Sequence, residues 1–147
     1  MLRINIYTFG KLKKKEILSL TKHYQKCSTS FAKIEFVETK ESRNFDDDLA
    51  KIVSKIKGQN VFALTEFGKE YSTLQFVEKI LKPVKTYGGE LEFVVFGAFG
   101  ISQEKIPKNW QKLSLSKLTF PHEIAALLLV EQIYRSLTIL NGKTYHY

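Results

Sequence analysis

Cysteine is almost missing from this chain: Cys27 is the only one among 147 residues, so no intramolecular disulfide can form and no cysteine pair exists to hold a metal. We read Cys27 as a structural residue, in keeping with a reducing compartment. Long apolar runs are missing too. None approaches the roughly 18 residues of a membrane span, and the opening MLRINIYTFGK alternates instead of forming a signal-peptide core, so a soluble, cytoplasmic protein is expected. The three histidines, His23, His122 and His146, lie far apart with no HExxH pattern, and no metal site is expected. No GxxxxGK[ST] phosphate loop occurs, FGAFG at 96–100 lacks GxGxxG spacing, and there is no GxSxG elbow. These absences argue against nucleotide hydrolysis and classical NAD binding. With no linker, repeat or low-complexity tract, residues 1–147 are expected to form one domain.

What the chain does hold is apolar material and positive charge. Hydrophobic residues make up 44% and aromatics 13%, enough for one core at about the usual size of a domain. The net charge of +8 is unevenly placed: residues 1–60 carry 13 Lys and Arg against 7 Asp and Glu, whereas 61–147 carry 10 against 8. Lys11, Lys13, Lys14 and Lys15 cluster just after the first strand-like segment, where they could neutralise the phosphates of an RNA. A solvated helix face is the plainer reading of such a run. Charge alone permits a polyanionic partner without identifying one.

Two periods alternate along the chain. Strands are expected at Leu2–Phe9, Ala32–Val37, Asn60–Leu64, Leu91–Phe96 and Lys112–Leu115. Helical patterns fall between them at Lys13–Lys26 and Phe45–Ile56, then after Ser72, whose Gln75 completes a capping box. Ser102–Lys108 reads as a short polar helix or turn, and Pro121–Leu140 as a long apolar helix with proline in its first turn. This order predicts an α/β fold with a mostly parallel sheet and helices on both faces. Ligands of such sheets bind at the carboxyl ends of the strands, which singles out three loops: Thr65–Tyr71, Gly97–Ser102 and Ser116–Pro121.

The C-terminal run is the most distinctive part. A strand end at Leu115 passes through Ser116, Lys117, Leu118 and Thr119 into a helix whose first turn holds His122. Thr119 is a candidate cap for that helix, and the free N–H groups there suit a polar ligand. Leu127, Val130, Tyr134 and Leu137 form an apolar stripe that reads as core or dimer interface. Glu131 and Arg135, four apart, are placed to pair. The tail Tyr145-His146-Tyr147 is unusually aromatic for a terminus.

SLSKLTFPHEIAALLLVEQIYRSLTILNGKTYHY, from residue 114 to the end, resembles the C-terminal signature of the RlmH family. Its members are SPOUT methyltransferases that methylate N3 of a pseudouridine in bacterial large-subunit ribosomal RNA. MLRINIYTFGKLK at the start, LTEFGKEYST at 64–73 and EFVVFGAFGIS at 92–102 match in order, so the similarity spans the chain. The resemblance implies a C-terminal trefoil knot, a topology that propensities would not select. It implies S-adenosylmethionine as cofactor, held by Leu64, Thr65, Gly97, Gly100, Leu115, Ser116, Lys117, Leu118, Thr119 and Phe120. His122, Arg135, Tyr145 and His146, with Tyr134 beside them, match the substrate side, and a homodimer completes each site. Ribosomal RNA or the assembled ribosome is the implied partner. Loss of the N3 proton could use His122, His146 or water. Two positions depart from the family pattern: Phe96 replaces the first of a usual Gly-Gly pair, and Ala126 stands where arginine is frequent. The alternatives are a knotted RNA- or ribosome-binding protein without catalysis, and a SPOUT methyltransferase acting on tRNA.

Overall fold

The computed structural model describes residues 1–97 and 100–145. Five strands, β1 (Leu2–Phe9), β2 (Ala32–Thr39), β3 (Asn60–Glu70), β4 (Glu90–Val95) and β5 (Gln111–Ser114), form one sheet in the order β2-β1-β4-β3-β5. Every pairing is parallel, with Ile6 set between Phe36 and Phe93, and Leu64 between Val95 and Leu113. All the carboxyl ends therefore open on one edge.

Alternation along the strands builds two cores. Leu2, Ile4, Ile6, Phe62, Leu64, Leu91, Phe93 and Val95 pack under α1 (Lys15–Cys27), α3 (Thr73–Phe76), α4 (Lys82–Tyr87) and α5 (His122–Leu140). Tyr7, Phe9, Val61, Ala63, Val94 and Phe96 face the other way, against Ile52 of α2 (Phe45–Lys55) and against Ile106 and Trp110. The expected parallel α/β sheet with helices on both faces is what forms. The Ser72–Gln75 capping box is present, and a π turn at Val77–Leu81 joins α3 to α4. Pro83 has no N–H to close an α-type bond there, which favours the wider turn.

Three local expectations differ from the structure. First, β3 runs on to Glu70 instead of ending at Leu64, so most of the expected loop from Thr65 is strand. Its pairing with β5 slips and resumes: Leu64 and Lys69 both face Leu113, then Glu70 faces Ser114. The segment between, Thr65-Glu66-Phe67-Gly68, holds a single large apolar residue, so no alternation marked it. Second, Thr119 does not cap α5, whose N-cap is Pro121 without a side-chain bond. Third, α1 begins at Lys15, leaving Lys11, Lys13 and Lys14 in the loop before it. Among the described residues, no helix is long and apolar enough to cross a membrane.

Candidate cofactor and substrate site

The middle of β3 and the carboxyl ends of β4 and β5 enclose a cavity of about 310 Å³. Leu64, Thr65 and Glu66 come from β3; Val95, Phe96, Gly97 and Gly100 from the end of β4 and its loop. Leu115, Ser116, Leu118, Thr119 and Phe120 follow β5, and His122 and Ala125 of α5 close the wall. The loop after β5 is shaped locally: Leu118 N–H donates to Ser116 Oγ (3.0 Å), and Ser114 Oγ donates to the Ser116 carbonyl (2.8 Å). Nine of the ten residues expected to hold a cofactor border this one space; Lys117 is exposed and does not.

The walls suit an amphiphilic organic ligand. Leu64, Val95, Leu115, Leu118 and Phe120 supply apolar surface, while Thr65 Oγ1 and His122 Nε2 are buried without hydrogen-bond partners. A buried polar atom with no partner costs stability, so two of them on residues that line one cavity suit a ligand with polar groups. Among the described residues no group of three or more His, Cys, Asp or Glu side chains is placed to hold a metal.

Beside His122, Glu123 performs a task that local patterns did not reveal. Its Oε1 accepts the backbone N–H groups of Lys13 (2.7 Å) and Lys14 (2.9 Å), at the N-terminus of α1. Burial pushes this carboxyl up, but those two N–H groups and the neighbouring His122 outweigh it and hold Glu123 below the ordinary carboxylate range. The lysine loop is thus fastened to the first turn of α5, next to the cavity, with all four lysines exposed.

The remaining expected residues lie elsewhere on the chain. Arg135 is thirteen residues beyond His122 on the same helix, about 20 Å along its axis. It pairs with Glu131, its Nε donating to Oε1 at 3.0 Å, and its guanidinium sits 4.6 Å from the Tyr145 ring. Tyr145 meets Tyr134 edge to face at 5.0 Å, and Tyr134 lies 5.9 Å from Tyr24 of α1. Burial, then Tyr24 and Glu131, push the Tyr145 hydroxyl above its ordinary value. His146 lies outside the described residues. A single chain therefore carries two separated groups, the cavity with His122 and the Arg135–Tyr145 cluster.

The two departures from the family pattern are accommodated by packing. The Phe96 ring is 6% exposed and joins Phe9 (5.3 Å) and Phe45 (6.4 Å) in the second core. Ala126 is fully buried in the first core, where a charged side chain would be costly. At Gly97 a methyl group would collide with Glu41 Oε2, so the backbone there is pressed against a carboxylate that sequence reasoning overlooked. The stripe Leu127, Val130, Tyr134 and Leu137 is core: Val130 and Leu137 are buried and the other two half-buried. Ile124 and Leu128 are exposed instead, as are Leu118, Phe120 and Phe67.

An all-parallel α/β sheet, with strand ends and a helix N-terminus around an amphiphilic cavity, is the arrangement in which proteins of this class hold small organic ligands. The family model described as predicted SPOUT methyltransferase matches residues 2–146, and the chain belongs to this family. Among curated relatives, "Ribosomal RNA large subunit methyltransferase H" of Thermodesulfovibrio yellowstonii is 38% identical, with both chains covered completely. The proteins of that name from Kosmotoga olearia and Acholeplasma laidlawii are 35% and 32% identical, each over 99% of this chain. A solved structure, a probable methylase family protein from Haemophilus influenzae Rd KW20, superposes with a TM-score of 0.56 at 12% identity. It covers 98% of this chain and 70% of its own, a likeness of fold.

Proposed function

We propose that this methyltransferase uses S-adenosylmethionine to methylate N3 of a pseudouridine in large-subunit ribosomal RNA, in the cytoplasm and as a homodimer. The observation that carries the reading is the cavity lined by the residues the motif supplies, two of which hold unpartnered buried polar atoms. Full-length relatives named as large-subunit ribosomal RNA methyltransferases support the substrate class.

In this reading Leu64, Val95, Leu115, Leu118 and Phe120 enclose the apolar parts of the cofactor. Thr65, Ser116, Thr119 and the backbone at Gly97 and Gly100 meet its polar groups. When bound, it supplies an electrophilic methyl group on a sulfonium. The protein's part is to hold the ring nitrogen in line with that carbon, roughly 3 to 3.5 Å away, and to exclude water. Lys11, Lys13, Lys14 and Lys15 hold phosphates. Because Arg135 and Tyr145 stand about 20 Å from His122 on one chain, they reach the same nucleotide only from a second copy. The exposed side chains of Ile124 and Leu128, one turn apart on α5, offer that copy an apolar surface. The trefoil knot belongs to the same proposal.

The test is transfer of a labelled methyl group to intact ribosomes, separated subunits, free ribosomal RNA and tRNA, followed by mapping of the modified nucleotide. Label at N3 of a pseudouridine in large-subunit RNA is expected. Label in tRNA alone, or none with any RNA, overturns the reading.

A further inference from the structure

A second cavity, of about 490 Å³, shares Gly100 with the first. Glu41, Ser42 and Arg43 form one wall; Phe45, Ile101 and Lys105 complete it. Its first wall is built rigidly. Asp48, 1% exposed, accepts Ser42 N–H (2.8 Å) and Ser42 Oγ–H (2.7 Å), and Asn44 caps α2 by accepting from Asp47 N–H (3.2 Å). With Ser42 held, Glu41 and Arg43 flank it, and among the described residues neither side chain has a hydrogen bond or ion pair. Lys105, by contrast, is tied to Asp46 (3.2 Å) and lies over the Phe45 ring.

The Glu41 carboxylate is set against the cofactor cavity. Oε2 packs on Gly97, and Oε1 is 3.9 Å from the point where a Cβ on Gly10 would stand; His122 Nε2 is 3.8 Å from the same point. Of these two groups, Glu41 is exposed whereas His122 Nε2 is buried. A group that takes a proton from an RNA base must return it to water, and of these two Glu41 is the exposed residue.

Resting on the function proposed above, we infer that this second cavity takes the methyl-accepting ring, and that Glu41 accepts the proton of its imide N–H. The ligand is a uracil-type ring, with an N–H between two carbonyls and Arg43 able to donate to one of them. The N–H proton passes to the Glu41 carboxylate, and the nitrogen pair forms the bond to the methyl carbon. The carbon–sulfur pair stays on sulfur, which becomes a neutral thioether. The exposed Glu41 then releases its proton to water. Cytosine is rejected because its ring nitrogen carries no hydrogen and would face the carboxylate with a lone pair. The charged and titratable groups around Glu41 are Arg43 and Asp48 nearby, Lys105 across the cavity and His122 beyond Gly10.

Wild type, Glu41→Gln and Glu41→Ala are compared by single-turnover methylation of large-subunit RNA between pH 6 and 10, alongside RNA titration and cofactor-induced thermal shift. Both variants are expected to lose at least about 100-fold in rate at neutral pH, with the thermal shift intact and RNA affinity within a few-fold. Their rates should climb with pH as the ring N–H ionises in solution, closing the gap to wild type. An unchanged rate or a parallel pH profile overturns the assignment. A lost thermal shift also overturns it, by placing Glu41 in the cofactor's site. If wild type itself methylates no RNA, the proposed function fails first, and this inference fails with it.

Discussion

Gly68 sits where β3 closes on β5, and a Cβ there would stand 2.8 Å from backbone atoms of Leu113 and Lys112, which have no freedom to yield. Gly68→Ala is expected to cost about 1–3 kcal/mol, read as a lower Tm, and to shrink the stabilisation by cofactor because β5 feeds the cavity loop. Glu123→Ala strands two backbone donors and should cost on the order of 1–2 kcal/mol. Because the folded-state value of Glu123 is lowered, its contribution is present above the ordinary carboxylate range and fades as pH falls through the folded value. The deficit of Glu123→Ala in thermal melts should therefore be large at pH 7 and vanish in acid. Glu92 shows the opposite sign. It is fully buried in the sheet, with Asn5 donating to Oε1 (3.2 Å) and Oε2 unpartnered, and burial is the first cause that raises it. Its neutral form is favoured in the folded state, so its contribution is full in acid and lost as pH rises through the folded value. Glu92→Gln keeps the acceptor and removes that loss: Tm should rise at pH 8 and stay unchanged at low pH. An equal effect at both would refute the buried-carboxylate account.

The α1–α5 pair joins two candidate functional groups at its two ends, the lysine loop through Glu123 and the Tyr24–Tyr134–Tyr145 stack beside Arg135. These ends should fail differently. Alanine at Lys13, Lys14 and Lys15 is expected to weaken RNA binding and flatten its salt dependence by about 0.7 to 0.9 per lost phosphate contact, leaving the cofactor-induced thermal shift intact. Truncation before Tyr145 should reduce turnover far more than RNA affinity, since positioning acts mainly in the transition state. A truncated protein that methylates at full rate would make the tail only structural. The capping box at Ser72 and the α5 helix could be read from local sequence because their signals lie within a few residues. The extension of β3 could not, since its partner is β5, more than forty residues away, and its own residues carry no apolar alternation.

For the molecule as a whole, cofactor binding should stabilise the fold by mass action, roughly 2.7 kcal/mol at a hundredfold excess over Kd; an unchanged Tm at saturation would remove the cofactor assignment. Sedimentation at micromolar concentration should give a dimer, and a monomer would leave Arg135 and Tyr145 without a route to the cavity of His122. The sequence by itself determined the alternation of strands and helices, hence a parallel sheet with its ligand edge at the strand ends, because apolar period and turn residues are local properties. It also carried the loop residues from Leu115 to Phe120, which resemble a known family. Only the tertiary structure decided which side chains share a space. Gly10, Glu41, Gly97 and His122 meet through loops after β1, β2 and β4 and the start of α5, while Arg135 is carried away from His122 by the rise of its own helix. Such meetings depend on strand order and helix packing, which no spacing along the chain encodes.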